Sequence, residues 1–207
     1  MRFHIGSIPK DSTFQPDREK WFSIHQPGFA LKQMLAFPVA ILISLFLLVC
    51  FSLILDNSDS SNQGLITISS SNWWQLPLVM VFFAPLHELL HALCHPGAGM
   101  SNKTIIGIQP KNFSIFTHYE DSMTRTRLLV TMIMPFILLS IVPIAVLSFF
   151  QMMSLGMEMV SLLILLSIFN GMASSADIMV FTLVLFQIPN HAITKGHRWK
   201  IYWKLES

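Results

Sequence analysis

Four long apolar runs divide the chain. Ala36–Leu55 (AFPVAILISLFLLVCFSLIL) carries no charge, and Gln75–His95 (QLPLVMVFFAPLHELLHALCH) is apolar until its last third. A third run covers Leu128–Phe150 with Pro135 and Pro143 inside it, and a fourth covers Met159–Phe186. A helix needs about 20 mostly apolar residues to cross a bilayer, so the pattern predicts an all-α, polytopic transmembrane helix bundle of about four spans. Proline is tolerated in such helices where neighbours satisfy the freed carbonyls. The fourth run is interrupted at Asn170-Gly171 and at Ser174-Ser175-Ala176-Asp177, which permits one tilted helix or two pieces broken near Gly171.

The segments between the runs are polar: residues 1–35, the stretch DNSDSSNQGLITISSSN ending at Trp73-Trp74, residues 96–127, and 187–207. Tryptophan favours the membrane interface, which suits Trp73 and Trp74. Within 96–127, TIIGI (104–108) and FSIFTH (113–118) are short β-prone runs around the turn signal Pro110-Lys111-Asn112. They predict a small hairpin beside the membrane. The N-terminal 35 residues have no apolar stretch of the kind a cleavable signal needs and read as a polar tail.

Composition sharpens the membrane reading. The 207 residues are 53% hydrophobic and 12% charged, with a mean hydropathy of +0.58; soluble domains carry about 25% charged residues. A net charge of +2 gives no footing for a nucleic-acid partner. Cys50 and Cys94 both lie in apolar runs and predict no disulfide framework. Charge placement sets orientation. The N-tail through Lys32 holds five basic residues, the 96–127 loop four (Lys103, Lys111, Arg125, Arg127) and the C-tail four (Lys195, Arg198, Lys200, Lys204), which is all thirteen. By the positive-inside rule these three segments are cytoplasmic, with the second and fourth spans running inward.

His87-Glu88-Leu89-Leu90-His91 carries the candidate chemistry. Residues i and i+4 of a helix lie on one face about 6 Å apart, so the two imidazoles can share one Zn²⁺. Glu88 beside them can act as general base toward a water the metal activates. Charged groups inside a membrane span are costly and usually functional. A catalytic zinc takes three protein ligands. Asp177 is the best third: it is the one ionisable residue of the fourth run, and it lies at the depth of His87, roughly 12–14 Å from the cytoplasmic boundary. His95 and Cys94, on the face of His91, are rivals, as are His118, Glu120 and Asp121 in the loop. Asn170, seven residues before Asp177 and on the same helical face, can hold a substrate carbonyl, or bond a neighbouring helix. Pro85 can kink the second span and admit water to the metal.

HELLHALCHPGAG in an early span, the hairpin-like loop, and Asn170 followed by Ser-Ser-Ala-Asp177-Ile resemble a bacterial membrane family of zincin peptidases, similar in plan to the site-2 intramembrane proteases. The resemblance covers about residues 75–190. It lacks the prolines and the Asp-Gly that site-2 proteases carry in the third-ligand segment. It implies His87, His91 and Asp177 as zinc ligands and Glu88 as base, in the bacterial cytoplasmic membrane. The expected activity is hydrolysis of a peptide bond in a membrane protein or membrane-adjacent peptide. The alternative is a non-enzymatic membrane protein that binds or moves a metal or protons through His87, His91 and Asp177.

Overall fold

The computed structural model describes residues 1–56, 75–112, 114–149 and 157–206 of the protein. The expected interface position of Trp73 and Trp74 lies outside the described residues. Five helices form from the apolar runs: α1 (Phe29–Asp56), α2 (Gln75–Cys94), α3 (Arg125–Phe149), α4 (Met157–Ala173) and α5 (Ser175–Gln187). The all-α expectation is nevertheless wrong. Among the described residues the polar segments form seven strands in two sheets, so the fold is mixed α/β.

The strands are β1 (Arg2–Ile5), β2 (Phe22–Ser23), β3 (Thr104–Gln109), β4 (Ser114–Tyr119), β5 (Ser122–Thr124), β6 (Ala192–His197) and β7 (Lys200–Leu205). β3 and β4 are the expected hairpin, closed through a short 3-10 turn at Pro110–Asn112. The first sheet has the order β1-β3-β4, and the second β2-β7-β6-β5. β1 runs parallel to β3, Arg2 opposite Ile105 and Ile5 opposite Ile108. β2 pairs with β7, Phe22 opposite Trp203. Three of the segments read as tail or loop, 1–35, 96–127 and 187–207, thus supply strands to a ladder whose partner is far away in the chain. Isoleucine, threonine, tyrosine and tryptophan in β3, β6 and β7 suit that role, but a strand forms only when its partner arrives.

Helix ends follow local chemistry. Thr124 caps α3, its side chain accepting from the Arg127 N–H at 3.3 Å. Pro96 stops α2, because proline cannot continue a helix. Gly99 then folds back with φ +71° so close that a Cβ there would lie 2.2 Å from the Ala92 carbonyl oxygen. α3 contains a π-helical turn at Ile137–Ile141, just after Pro135. The fourth run is two helices, bent by 49° at Ser174, although the backbone ladder carries through: Ser174 N–H donates to Asn170 O, and Ile178 N–H to Ser174 O.

α1 packs on α4, where Gly171 lets Leu47 and Ile43 approach. One apolar cluster (Leu47, Phe51, Leu147, Val160, Ile164) joins α1, α3 and α4. Another (Ile24, Leu128, Val180, Val184, Ile188, Ala192) ties the N-terminal segment to α3, α5 and β6. Among the described residues two helices are long and apolar enough to cross a membrane, over Leu31–Ile54 and Arg125–Phe149, or three spans if the bent α4–α5 pair counts as one; Val81–Cys94 is a shorter apolar helix. α1 exposes Phe37, Leu42, Phe46 and Val49.

Candidate metal centre

α2 places His87 and His91 on the face that packs against α3, and both rings are buried. Their centroids are 4.9 Å apart and their Nε2 atoms 3.2 Å apart. Asp177 enters from the first turn of α5. The bend at Ser174 creates that helix start inside the apolar run, and a helix N-terminus favours a carboxylate. Asp177 Oδ2 lies 3.2 Å from His87 Nε2 and 3.4 Å from His91 Nε2.

Hydrogen bonds to the far ring nitrogens fix what these atoms present. Ser140 Oγ donates to the Ser167 carbonyl, so it accepts from Asn170 Nδ2 at 2.8 Å. The same amide nitrogen donates to the Pro135 carbonyl at 2.9 Å. That orients Asn170 Oδ1 as the acceptor for His87 Nδ1–H, at 2.8 Å. His91 Nδ1–H donates to the Thr131 carbonyl at 2.7 Å. This carbonyl is available for a simple reason: four residues on stands Pro135, which has no N–H to donate to it. With both Nδ1 atoms protonated, each neutral imidazole turns an Nε2 lone pair toward the carboxylate.

The three facing atoms therefore form a triangle of acceptors, with sides of 3.2, 3.2 and 3.4 Å. Three lone pairs at that separation repel unless a proton or a metal cation lies among them. Tetrahedral zinc ligands with bonds of 2.0–2.1 Å stand about 3.3–3.4 Å from one another, so the donor set fits such an ion. The residues that orient the ring nitrogens are those a metal-bound histidine usually has behind it.

Glu88 lies half-buried beside the triangle; its carboxylate and the two histidine nitrogens are within 4.8 Å of one another. Thr117 of β4 donates its hydroxyl to the Glu88 carbonyl at 2.8 Å, tying the strand to the helix. Asn170, expected to contact substrate, is fully buried and uses both amide donors and its oxygen inside the protein. It orients His87, and neither amide hydrogen is left to donate to a substrate carbonyl.

The rival ligands are elsewhere. His95 stacks on Tyr119 at 5.2 Å, with Nδ1 buried and lacking a hydrogen-bond partner. The carbonyls of Cys94 and His95 accept from Arg127. Glu120 pairs with Arg2 and Asp121 with Lys103. His118 sits on β4, where burial first, then His197 and Lys195, lowers its pKa from 6.5 to about 4. Pro85 leaves α2 unbroken. Thr131, Pro135, Ser140 and Thr117 were not anticipated; the signal for Thr131 was present, since each proline in a helix frees the carbonyl four residues back.

A cavity of about 660 Å³ opens over the centre, walled by β4, by Leu128 and Met132 of α3, and by the turn between β6 and β7.

A family model described as "Putative zincin peptidase" matches residues 80–193, just over half of the chain. No curated protein matches the chain, and no solved structure does.

Proposed function

The chain belongs to that zincin peptidase family, and from this premise we propose that it is a membrane-embedded zinc metalloprotease, with His87, His91 and Asp177 as ligands and Glu88 as general base. Family and His-Glu-x-x-His motif together support a zinc metallopeptidase. The triangle of three lone-pair donors carries the assignment to these residues.

Zinc held there supplies Lewis acidity, polarising the scissile carbonyl and letting water lose a proton near neutral pH. Glu88 accepts that proton and delivers it to the leaving amine. Asn170 and the Thr131 carbonyl keep both imidazoles in the tautomer that leaves Nε2 free. β4 is an edge of its sheet and borders the cavity, so an extended peptide can add to it as a further strand across the centre. β3 cannot take this part: β1 and β4 occupy both its edges.

The membrane setting has independent support. β1 binds β3, β2 binds β7, and β5 binds β6. These contacts join the N-terminal segment, the 96–127 loop and the C-terminal segment, so all three stand on one side of any bilayer. The same three segments, residues 1–35, 96–127 and 187–207, hold all thirteen lysines and arginines, which makes that side cytoplasmic by the positive-inside rule. α1, α2, α3 and the α4–α5 pair then span, and the substrate is a membrane protein or membrane-adjacent peptide in a bacterial cytoplasmic membrane.

Metal analysis of purified protein tests the centre. Wild type is expected to hold about one zinc per chain, lost in His91→Ala and Asp177→Ala, while Glu88→Gln keeps the metal and stops cleavage. Zinc retained in Asp177→Ala removes the third ligand from the proposal. A function that survives Glu88→Gln favours metal or proton transport instead.

A further inference from the structure

Beyond Glu88 and Asp177, every charged side chain lining the cavity is a cation: Lys32, Arg198 and Lys200, among the described residues. Lys32 comes from the first turn of α1 and is half-buried. Arg198 and Lys200 come from the turn between β6 and β7, brought to the same wall where Gln26 donates its side-chain amide to the Trp199 carbonyl. None of the three has an ion-pair partner among the described residues, whereas Arg2, Lys103 and Lys195 in the same sheets are each matched with a carboxylate.

Two of these cations sit where local physics disfavours them. Lys32 adds positive charge to the positive end of a long helix, with no acidic residue in that turn. Its place on the cavity wall, not on the lipid-facing side of α1, separates it from an ordinary snorkelling lysine. Arg198 holds φ +55°, a conformation for which glycine is the usual choice in a two-residue hairpin turn. Backbone strain retained at a site marks function. With a divalent metal in place, three cations and that ion face only two carboxylates. The cavity is short of negative charge.

We propose that Lys32, Arg198 and Lys200 form an anion-binding subsite, and that the peptide cleaved carries a carboxylate near its scissile bond. The proposal rests on reading the cavity as the peptidase site and names its substrate class. Lys32 is the buried contact, and Arg198 and Lys200 draw the anion in from the mouth. A peptide lying along β4 shares its cavity with both the metal centre and these cations.

The test uses the full chain in detergent as Glu88→Gln, which binds without cleaving. The probes are two pools of short random peptides with amidated C-termini, one containing Asp and Glu, the other Asn and Gln in their places. The acidic pool is expected to bind about tenfold tighter, an advantage that fades above about 0.5 M salt and disappears on Lys32→Gln and on Arg198→Gly. Arg198→Gly also relieves the turn, so its loss of binding does not reflect unfolding. A third pool, with amide side chains and a free C-terminus, shows whether the chain end supplies the carboxylate; tighter binding of either carboxylate pool upholds the subsite. Equal or absent binding of all pools overturns it. So does a preference that both substitutions leave intact, or phosphatidylglycerol in nanodiscs filling the site while no peptide binds. Wild-type cleavage without acidic preference overturns the subsite and leaves the peptidase standing. Acid-selective binding without cleavage by zinc-loaded wild type does the reverse.

Discussion

A single missing hydrogen atom organises the grip on His91. Pro135 donates nothing to Thr131, and the idle carbonyl orients the imidazole instead. Pro135→Ala returns a competing N–H to that carbonyl. Zinc affinity is expected to fall about tenfold, the lower range for loss of a residue behind a metal ligand, while the thermal midpoint holds or rises. A chelator competition titration beside a melting curve separates the two effects; unchanged affinity removes Pro135 from the centre. Asn170→Ala is the harsher change, since it strands His87 Nδ1, the Pro135 carbonyl and Ser140 together. It is expected to lower both zinc affinity and stability, the latter by about 1–3 kcal/mol. His118 bears on stability alone. The unfolded chain takes its proton near 6.5 and the folded chain only near 4, so between those values the unfolded state holds more protons and stability falls as the pH is lowered. His118→Asn should flatten that fall relative to wild type, as read from melting temperatures at successive pH values. The three side chains that face one another, His87, His91 and Asp177, were legible in the sequence because ionisable groups stand out in apolar runs. The atoms behind them were not, because Thr131 and Pro135 act through backbone carbonyls, which no side-chain pattern advertises.

At the scale of elements, the helices were readable and the sheets largely were not. A run such as Leu128–Phe150 declares itself by its own length and hydropathy. β1 has four residues, and β2 only two. Their stability comes from partners some hundred or more residues away, so no local window contains the information. The β3–β4 hairpin was the exception because its strands are adjacent and Pro110-Lys111-Asn112 signals the turn; β6 and β7 are as close in the chain, but their turn, Arg198-Trp199, lacks the glycine or asparagine that would announce it. β4 now offers a specific test of substrate docking. Backbone bonds to an edge strand involve every second residue of the added strand, so N-methylation of a cleavable peptide at alternate positions should reduce turnover about tenfold or more, and at the interleaved positions much less. Equal losses at all positions would argue against strand addition.

For the whole molecule, the strand pairings tie three distant segments together beside the helices, and the proposed membrane setting then requires an even number of crossings between them. Single cysteines at Ser7, Asn102 and Lys204, in a Cys50→Ala, Cys94→Ala background, should stay unreactive toward an impermeant maleimide in intact cells and react once the cells are opened. A cysteine at Ser60 should react from outside. Outside labelling at Ser7 or Lys204 would break the proposed topology. The β2–β7 contact has a further consequence in time. Synthesis runs at about 5–20 residues per second, so Phe22 waits roughly ten to forty seconds for Trp203 to be made. Asp177 is made ninety residues after His87. A nascent chain that has not yet reached Asp177 therefore owns two imidazoles and a base but lacks the third side chain of the candidate centre, and on the proposed reading it has no peptidase activity until that residue arrives.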